Sequence, residues 1–338
     1  MDSLTRNRAA GVLLGQAIGD ALGVPYEFRR PPRPGEARML GGGLGNHAPG
    51  EWSDDTQMAV CIAEAAAAGA DLTSLTGLGA VAERFLCWLD SSPGDIGNLT
   101  ATVLRGAERE VRQLPPPRDP ATVATIMLER SELAGAGGSA GNGGLMRTAV
   151  VGLSALDDRD RVADAARRVC ALTHASQHPQ ESCVIWSEAV RVAVADGRLD
   201  VRAGFDLLSP ASRDYWQAKI AQAEAGDPSR FNSNGWTVTA LQAAWAAIHA
   251  TRDLGDDPDR FEATLQLAIS IGHDTDTVAA IAGGLLGAYF GVSGMPADLA
   301  GRVHGWPGGI GRRRLVQLAL TVADAGKRAA AERPPRSA

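Results

Sequence analysis

The chain has 338 residues, 45% of them hydrophobic, and a formal net charge of −6. The length suffices for one large core or two modest ones. The negative charge excludes a protein that grips a nucleic-acid backbone by bulk electrostatics, and no uninterrupted apolar segment reaches the roughly 20 residues needed to cross a bilayer. Forty glycines, abundant alanine and few aromatic residues favour close-packed helices over sheets. Cys61, Cys87, Cys170 and Cys183 lie in apolar, helical-looking stretches without CxxC spacing, and no signal peptide is recognisable, so buried free thiols in a cytoplasmic protein are expected.

Leu4 to Leu22 reads as the first helix, with Gly11, Gly15 and Gly19 placed to let another helix approach closely. It ends at Gly23 and Pro25. Residues 29–50, rich in Pro, Gly and Arg, form a long loop, read as functional because it links Glu27 to Asp54. Helical patterns follow at 54–69, 76–90, 98–113, 121–133, 160–173, 179–197, 211–224, 236–252, 258–271, 276–290 and 309–327. A stiff Pro115-Pro116-Pro117 connector and a glycine-rich stretch from Gly135 to Gly144 interrupt them. Residues 329–338 carry Arg and Pro without periodicity and are expected to be a disordered tail. With no internal repeat and no linker that splits the chain, the expectation is one all-α domain over residues 1–328.

Two acid pairs sit at opposite ends of this chain, Ser53-Asp54-Asp55-Thr56 and Asp274-Thr275-Asp276-Thr277, each running into an alanine-rich helix. Adjacent aspartates cannot point the same way on a regular helix, but at a loop-to-helix junction they fan out around a point. Four carboxylates with interleaved hydroxyls are hard ligands that suit Mg²⁺ or Mn²⁺ rather than zinc or copper. The competing explanation is ordinary: Ser and Asp are favoured N-caps, and acids in a first turn suit the helix dipole. The second motif, however, holds more acid and hydroxyl groups than one cap uses, and burying them requires a compensating cation.

Gly141-Asn142-Gly143-Gly144-Leu145-Met146-Arg147 enters an apolar segment; as a glycine-rich turn feeding a helix it would cradle phosphate oxygens with backbone N–H groups, and it is otherwise a flexible surface loop. It lacks the Lys-Ser/Thr of a P-loop and follows no strand, so neither nucleotide fold is supported. His174 has His178 four residues later and Cys170 four earlier, but Pro179 and a missing Glu disfavour zinc. A histidine at a helix end that donates to a phosphate or ribose hydroxyl fits better. Asp95-Ile96-Gly97-Asn98 places a carboxylate and an amide on a turn, where capping is the plain alternative. Trp236, before another helix, stacks on a base or ribose or packs in the core.

Taken in order, these motifs resemble the ADP-ribosylglycohydrolases, particularly the dinitrogenase-reductase-activating type. The resemblance rests on Gly15-Gln16-Ala17-Ile18-Gly19-Asp20-Ala21-Leu22-Gly23 running to Tyr26-Glu27, on both acid pairs, and on Asp95-Ile96-Gly97-Asn98. Gly141 to Arg147, Thr173-His174 and Gly235-Trp236 complete it, and the whole spans nearly the entire chain. It implies a compact orthogonal helical bundle around a central binuclear centre holding two Mg²⁺ (or Mn²⁺), which hydrolyses the bond between the terminal ribose of ADP-ribose and an acceptor. Carried over by position, it implies Ser53, Asp54, Asp55, Asp274, Asp276 and Thr277 as metal ligands, and Glu27 and Asp95 as catalytic groups with acid and base unassigned. It further implies Asn98, Asn142, Gly143, Gly144, His174 and Trp236 as substrate-binding. His273 departs from the glycine common before the second acid motif, and Trp236 stands where tyrosine is frequent.

The Asp95 turn leans toward arginine-linked ADP-ribose. An ADP-ribosylated protein or small-molecule conjugate is the implied substrate and ADP-ribose the product, with nucleic acid entering only as a modified substrate and no membrane involved. Serine-, nucleic-acid- or small-molecule-linked ADP-ribose is the alternative, as is a non-catalytic ADP-ribose-binding relative. A terpene synthase is disfavoured because Asp54-Asp55-Thr56-Gln57-Met58 lacks the further acid three positions after the pair.

Overall fold

The computed structural model describes residues 1–255 and 258–331. Among them the helices are α1 (Ser3–Gly23), α2 (Asp54–Ala67), α3 (Leu75–Asp90), α4 (Asn98–Val111), α5 (Pro120–Gly135), α6 (Arg159–Ala171), α7 (Gln177–Asp196), α8 (Pro210–Ala225), α9 (Thr237–Ala250), α10 (Pro258–Ser270), α11 (Thr275–Phe290), α12 (Ala297–Arg302) and α13 (Arg312–Ala331). Two-residue strands β1 (His304–Gly305) and β2 (Ile310–Gly311) pair antiparallel, His304 opposite Gly311 and Gly305 opposite Ile310. The all-α expectation holds, and each predicted helical segment overlaps one of these helices. Only α12 has no predicted counterpart, because six residues are too few to display a helical period.

Three local expectations are corrected. The segment after Gly141 does not enter an α-helix but winds into two 3₁₀ turns, Asn142–Arg147 and Ala149–Leu153. α13 continues through Ala329–Ala331, three residues into the expected tail, and residues 332–338 lie outside the described residues. Cys87 is exposed, whereas Cys61, Cys170 and Cys183 are buried free thiols as expected.

The small residues of α1 decide the centre of the fold. A Cβ placed on Gly15 would stand 2.3 Å from the Gly283 carbonyl oxygen, one on Gly19 2.0 Å from that of Ala279, and one on Gly23 2.4 Å from Asp276 Cα. α1 and α11 therefore lie backbone against backbone and antiparallel, a separation that any larger side chain would forbid. Both helices are enclosed along most of their length, from Ala9 in α1 and from Thr275 to Ala288 in α11. That is why neither shows a clear polar face. α2, α7, α9, α10 and α13 pack around this pair, α3 leans on α2 and carries α4 and α5, and α8 covers α9. The antiparallel pairing sets the end of α1 beside the start of α11, so Glu27 meets Asp274 and Asp276 although some 250 residues separate them in sequence.

Candidate metal centre and ligand cavity

Within the buried stretch of α1 the only strongly polar side chains are Gln16 and Asp20, one turn apart and on one face. Both reach the start of α2. Asp20 Oδ1 accepts from the Ser53 amide at 2.8 Å and its hydroxyl at 2.9 Å, and Oδ2 accepts from the Thr56 amide at 3.0 Å and its hydroxyl at 2.6 Å. Gln16 Nε2 donates to the Asp55 carbonyl at 3.0 Å. The N-terminus of α2 is thus capped by a carboxylate from another helix. Ser53 occupies the N-cap position without a side-chain capping bond, and the same holds for Asp274 at the start of α11. The ordinary capping explanation of the two motifs fails on this geometry, and their acids are left to face one another.

The second motif is clamped from two sides. Asn234 Oδ1 accepts from the Asp274 amide at 3.0 Å, and Asn142 Nδ2 donates to Asp274 Oδ2 at 2.7 Å and to the Asn234 carbonyl at 2.9 Å. Gly272 and His273 both have positive φ, 85° and 66°, which turns the chain sharply into α11. This explains why glycine suits position 273. The His273 carbonyl accepts from the Phe28 amide at 2.7 Å, which ties the residue after Glu27 to the residue before Asp274.

Glu27, Asp274 and Asp276, all buried, each offer a carboxylate oxygen within 4.8 Å of the others. Ser53 Oγ, whose one proton lies nearer Asp20, is also 3.2 Å from Asp55 Oδ2, while Asp55 Oδ1 is buried without a hydrogen-bond partner. Among the described residues no Lys or Arg pairs with any of these acids. Their protonation reflects that crowding. Burial first, then the charges of Asp95, Asp274 and Asp54, pushes the Glu27 carboxyl up to about 9. Burial and then Asp95, Asp20 and Asp274 push Asp54 up to about 8. Asp55 and Asp276 are raised well above the usual carboxylate range, again by burial first and neighbouring acids second. Such a nest of unpaired buried acids is costly unless it is protonated or holds a cation. The donor set, oxygen only, with one carboxylate oxygen orphaned, fits Mg²⁺ or Mn²⁺.

Beside the acids opens a cavity of about 360 Å³, whose wall includes Asp54, Asp55, Asp274, Thr277, Glu27 and Asp95. Its rim carries Asn98, at the first position of α4, the exposed Phe28 that follows Glu27, and the exposed Leu44 from the long loop. Burial raises the Asp95 carboxyl, and the Ile96 amide, the charge of His47 and the neighbouring Glu27 carboxyl offset part of that rise. The lining also includes Asn142, Gly143, Met146 and His174.

Most of the residues singled out from sequence therefore converge here. Ser53 and Asp276 stand behind the cavity wall, in contact with or beside acids that form it. Two do not join it: Gly144 packs toward Cys170 Sγ and Cys183 Sγ, and Trp236 is 39% exposed, its ring edge-on to His178 with centroids 6.0 Å apart. Asn142 lines the cavity, but its side-chain amide nitrogen is committed to Asp274 and Asn234 rather than free for a ligand. Asp20 and Asn234 were given no role from sequence. The available signal for Asp20 was its place, with Gln16, as a polar pair in an otherwise apolar helix; Asn234 offered none.

A family model described as ADP-ribosylglycohydrolase matches residues 1–332. The ADP-ribosylarginine hydrolase Tri1 of Pseudomonas putida (strain GB-1) is 30% identical over 305 residues, covering 88% of this chain and 74% of that relative. The ADP-ribosyl-(dinitrogen reductase) glycohydrolase of Rhodospirillum rubrum is 27% identical over 297 residues, covering 86% of this chain and 88% of the relative. A solved structure named ADP-ribosylglycohydrolase-related protein complex matches with a TM-score of 0.67 at 27% identity, covering 96% of this chain and 100% of that one.

Proposed function

Since the chain belongs to the ADP-ribosylglycohydrolase family, we propose that it is a metal-dependent hydrolase that releases ADP-ribose from an ADP-ribosylated acceptor, with arginine-linked ADP-ribose as the preferred substrate. The observation that carries this reading is the carboxylate cluster of Glu27, Asp274 and Asp276, with Asp55 and its unpartnered oxygen lining the same cavity as Glu27 and Asp274. Ser53, Asp54, Asp55, Asp274, Asp276 and Thr277 would hold two Mg²⁺ or Mn²⁺ ions. When bound, such ions polarise ribose hydroxyls and make a coordinated water more acidic.

The remaining work falls to the side chains. Glu27 is assigned the proton of the Glu27–Asp95 pair, because burial and the neighbouring acids hold its carboxyl at about 9. In this reading Glu27 supplies the proton at the glycosidic bond and the Asp95 carboxylate stabilises positive charge that develops on the ribose ring. Asp95, half-buried, with Asn98 at the rim beside it, also presents a carboxylate to a departing guanidinium, a charge-assisted partner for arginine. The two relatives named above support the acceptor class, as one is named for arginine and the other for a protein substrate.

The decisive experiment is a panel of arginine-, serine- and nucleic-acid-linked ADP-ribose conjugates, incubated with Mg²⁺, with Mn²⁺ and with chelator, while free ADP-ribose is quantified. Release confined to the metal-supplemented arginine conjugate is expected. Equal release in chelator would overturn the metal role, and binding of ADP-ribose without turnover of any conjugate would make the protein a non-catalytic binder.

A further inference from the structure

Arg147 is fully enclosed, and among the described residues it has no carboxylate partner. Its guanidinium donates to Thr173 Oγ1 at 2.6 Å and to Met58 Sδ at 3.4 Å, and lies 4.6 Å from the centroid of the Phe85 ring. Enclosing an unpaired cation costs several kcal/mol on the order expected for buried ions. The side chain therefore has a use that hydrophobic packing alone would not fill.

That use follows from counting protons. Arginine only donates, so Thr173 Oγ1 must be the acceptor of the 2.6 Å bond. The Thr173 hydroxyl proton then needs its own acceptor, because the residue is completely buried and an unmade bond there costs about 1–3 kcal/mol. The partner in reach is His174 Nδ1 at 2.8 Å. A nitrogen that accepts this proton keeps its lone pair, and in the neutral imidazole the ring hydrogen is then on Nε2. The Nε2 edge faces away from Thr173, against Gly143, where an added Cβ would stand 3.1 Å from Nε2, and the ring lines the cavity. Among the described residues Nε2 has no protein partner. Burial, and after it the charge of Arg147, holds the His174 imidazole down to about 3, which keeps it neutral.

We propose that Arg147 and Thr173 are positioning residues that fix His174 as a neutral Nε2–H donor aimed into the cavity, there to meet an oxygen acceptor of the ligand. With the opposite tautomer the same ring would present a lone pair and repel an anionic oxygen. The identity of that ligand as the ADP-ribose moiety rests on the function proposed above, whereas the tautomer does not.

The test is long-range ¹H–¹⁵N correlation of the imidazoles in the full, ligand-free protein at neutral pH, with the His174 signals assigned by their loss in His174→Asn. The expected spectrum has an unprotonated Nδ1 and a protonated Nε2. In Thr173→Val this preference is lost and ADP-ribose affinity, measured by calorimetry in parallel, falls about tenfold, as for one lost hydrogen bond. Thr173→Ser restores both. An Nδ1–H tautomer or an imidazolium in the unsubstituted protein overturns the proposal, as does a Thr173→Val protein that keeps the Nε2–H form or full affinity. If Thr173→Val does not fold, the spectrum of the unsubstituted protein decides. The expected tautomer together with no ADP-ribose binding by the unsubstituted protein would uphold the positioning role and refute the ligand.

Discussion

Asp20 Oδ2 receives both the hydroxyl and the amide of Thr56, at 2.6 and 3.0 Å, so a carboxylate of α1 closes the N-terminus of α2. With the two bonds from Ser53 to its other oxygen, Asp20 is fully occupied although completely buried. It orients the helix start that displays Asp54 and Asp55.

Asp20→Ala is expected to destabilise the protein by about 2–4 kcal/mol, because two buried amides and two hydroxyls lose their acceptor together. Urea unfolding measures the loss. Metal titration of the variant should show weakened binding even though Asp20 is not among the proposed ligands. Unchanged stability and unchanged metal affinity would refute the role given to Asp20.

Gly23 lies where α1 meets the backbone of Asp276, with room for no Cβ: the added atom would stand 2.4 Å from Asp276 Cα. Gly23→Ala is therefore expected to push α11 outward and misplace the second acid motif, at a cost of about 100-fold in ADP-ribose release, the scale expected for ångström-level misplacement. Gly301→Ala is the control, since a Cβ on Gly301 meets nothing within 4 Å. Activity assays on the two variants, with circular dichroism to confirm folding, make the comparison.

Without metal, the folded protein keeps protons on Glu27 up to about 9 and on Asp54 up to about 8, while the unfolded chain releases them near the ordinary values of 4.5 and 3.8. Between those limits the folded state binds more protons, so its stability falls as pH rises. In chelator the melting temperature should drop steadily from pH 5 to pH 9, and saturating Mg²⁺ or Mn²⁺ should recover most of the loss by binding the ionised form. Glu27→Gln in chelator should show a shallower slope. A chelated protein that gains stability across this range would contradict the assignment.

His174 works in the opposite sense. Its folded value near 3 lies below the ordinary 6.5, so between them the unfolded chain binds a proton that the folded protein refuses. The contribution is complete above pH 6.5 and is lost as pH falls toward 3, by at most about 1.4 kcal/mol per unit. His174→Gln should flatten the acid limb of the stability profile between pH 6.5 and 4, measured by urea midpoints against the unsubstituted protein. An identical acid limb in both proteins would show that His174 does not contribute.

Much of the fold was readable because helices announce themselves locally. Apolar period and cap residues placed α1 to α11 and α13 within a few residues, and the spacing of Gly11, Gly15 and Gly19 foretold a close helix partner. The identity of that partner was not readable, since nothing in the local sequence of α11 distinguishes it from other alanine-rich helices. For the 3₁₀ turns after Gly141 the local glycine content misled, because hydrogen bonds from Asn142 to Asp274 and Asn234 hold that segment in place.

The candidate site divides in the same way. Its ingredients, two acid pairs with hydroxyls and an isolated Glu27 and Asp95, were visible as residue types at helix junctions, because hard-ligand chemistry is written in side-chain identity. The capping explanation could be set aside only in three dimensions, where Asp20 takes over the Thr56 amide that Ser53 would otherwise cap. Likewise Gly144 and Trp236 share motifs with cavity residues yet face elsewhere, because the direction of a side chain is set by the packing around it. Sequence alone determined the helices and the kinds of ligand atoms they carry. Contact between α1 and α11, made possible by glycine and bringing residues from both ends of the chain together, decided that these atoms face one cavity.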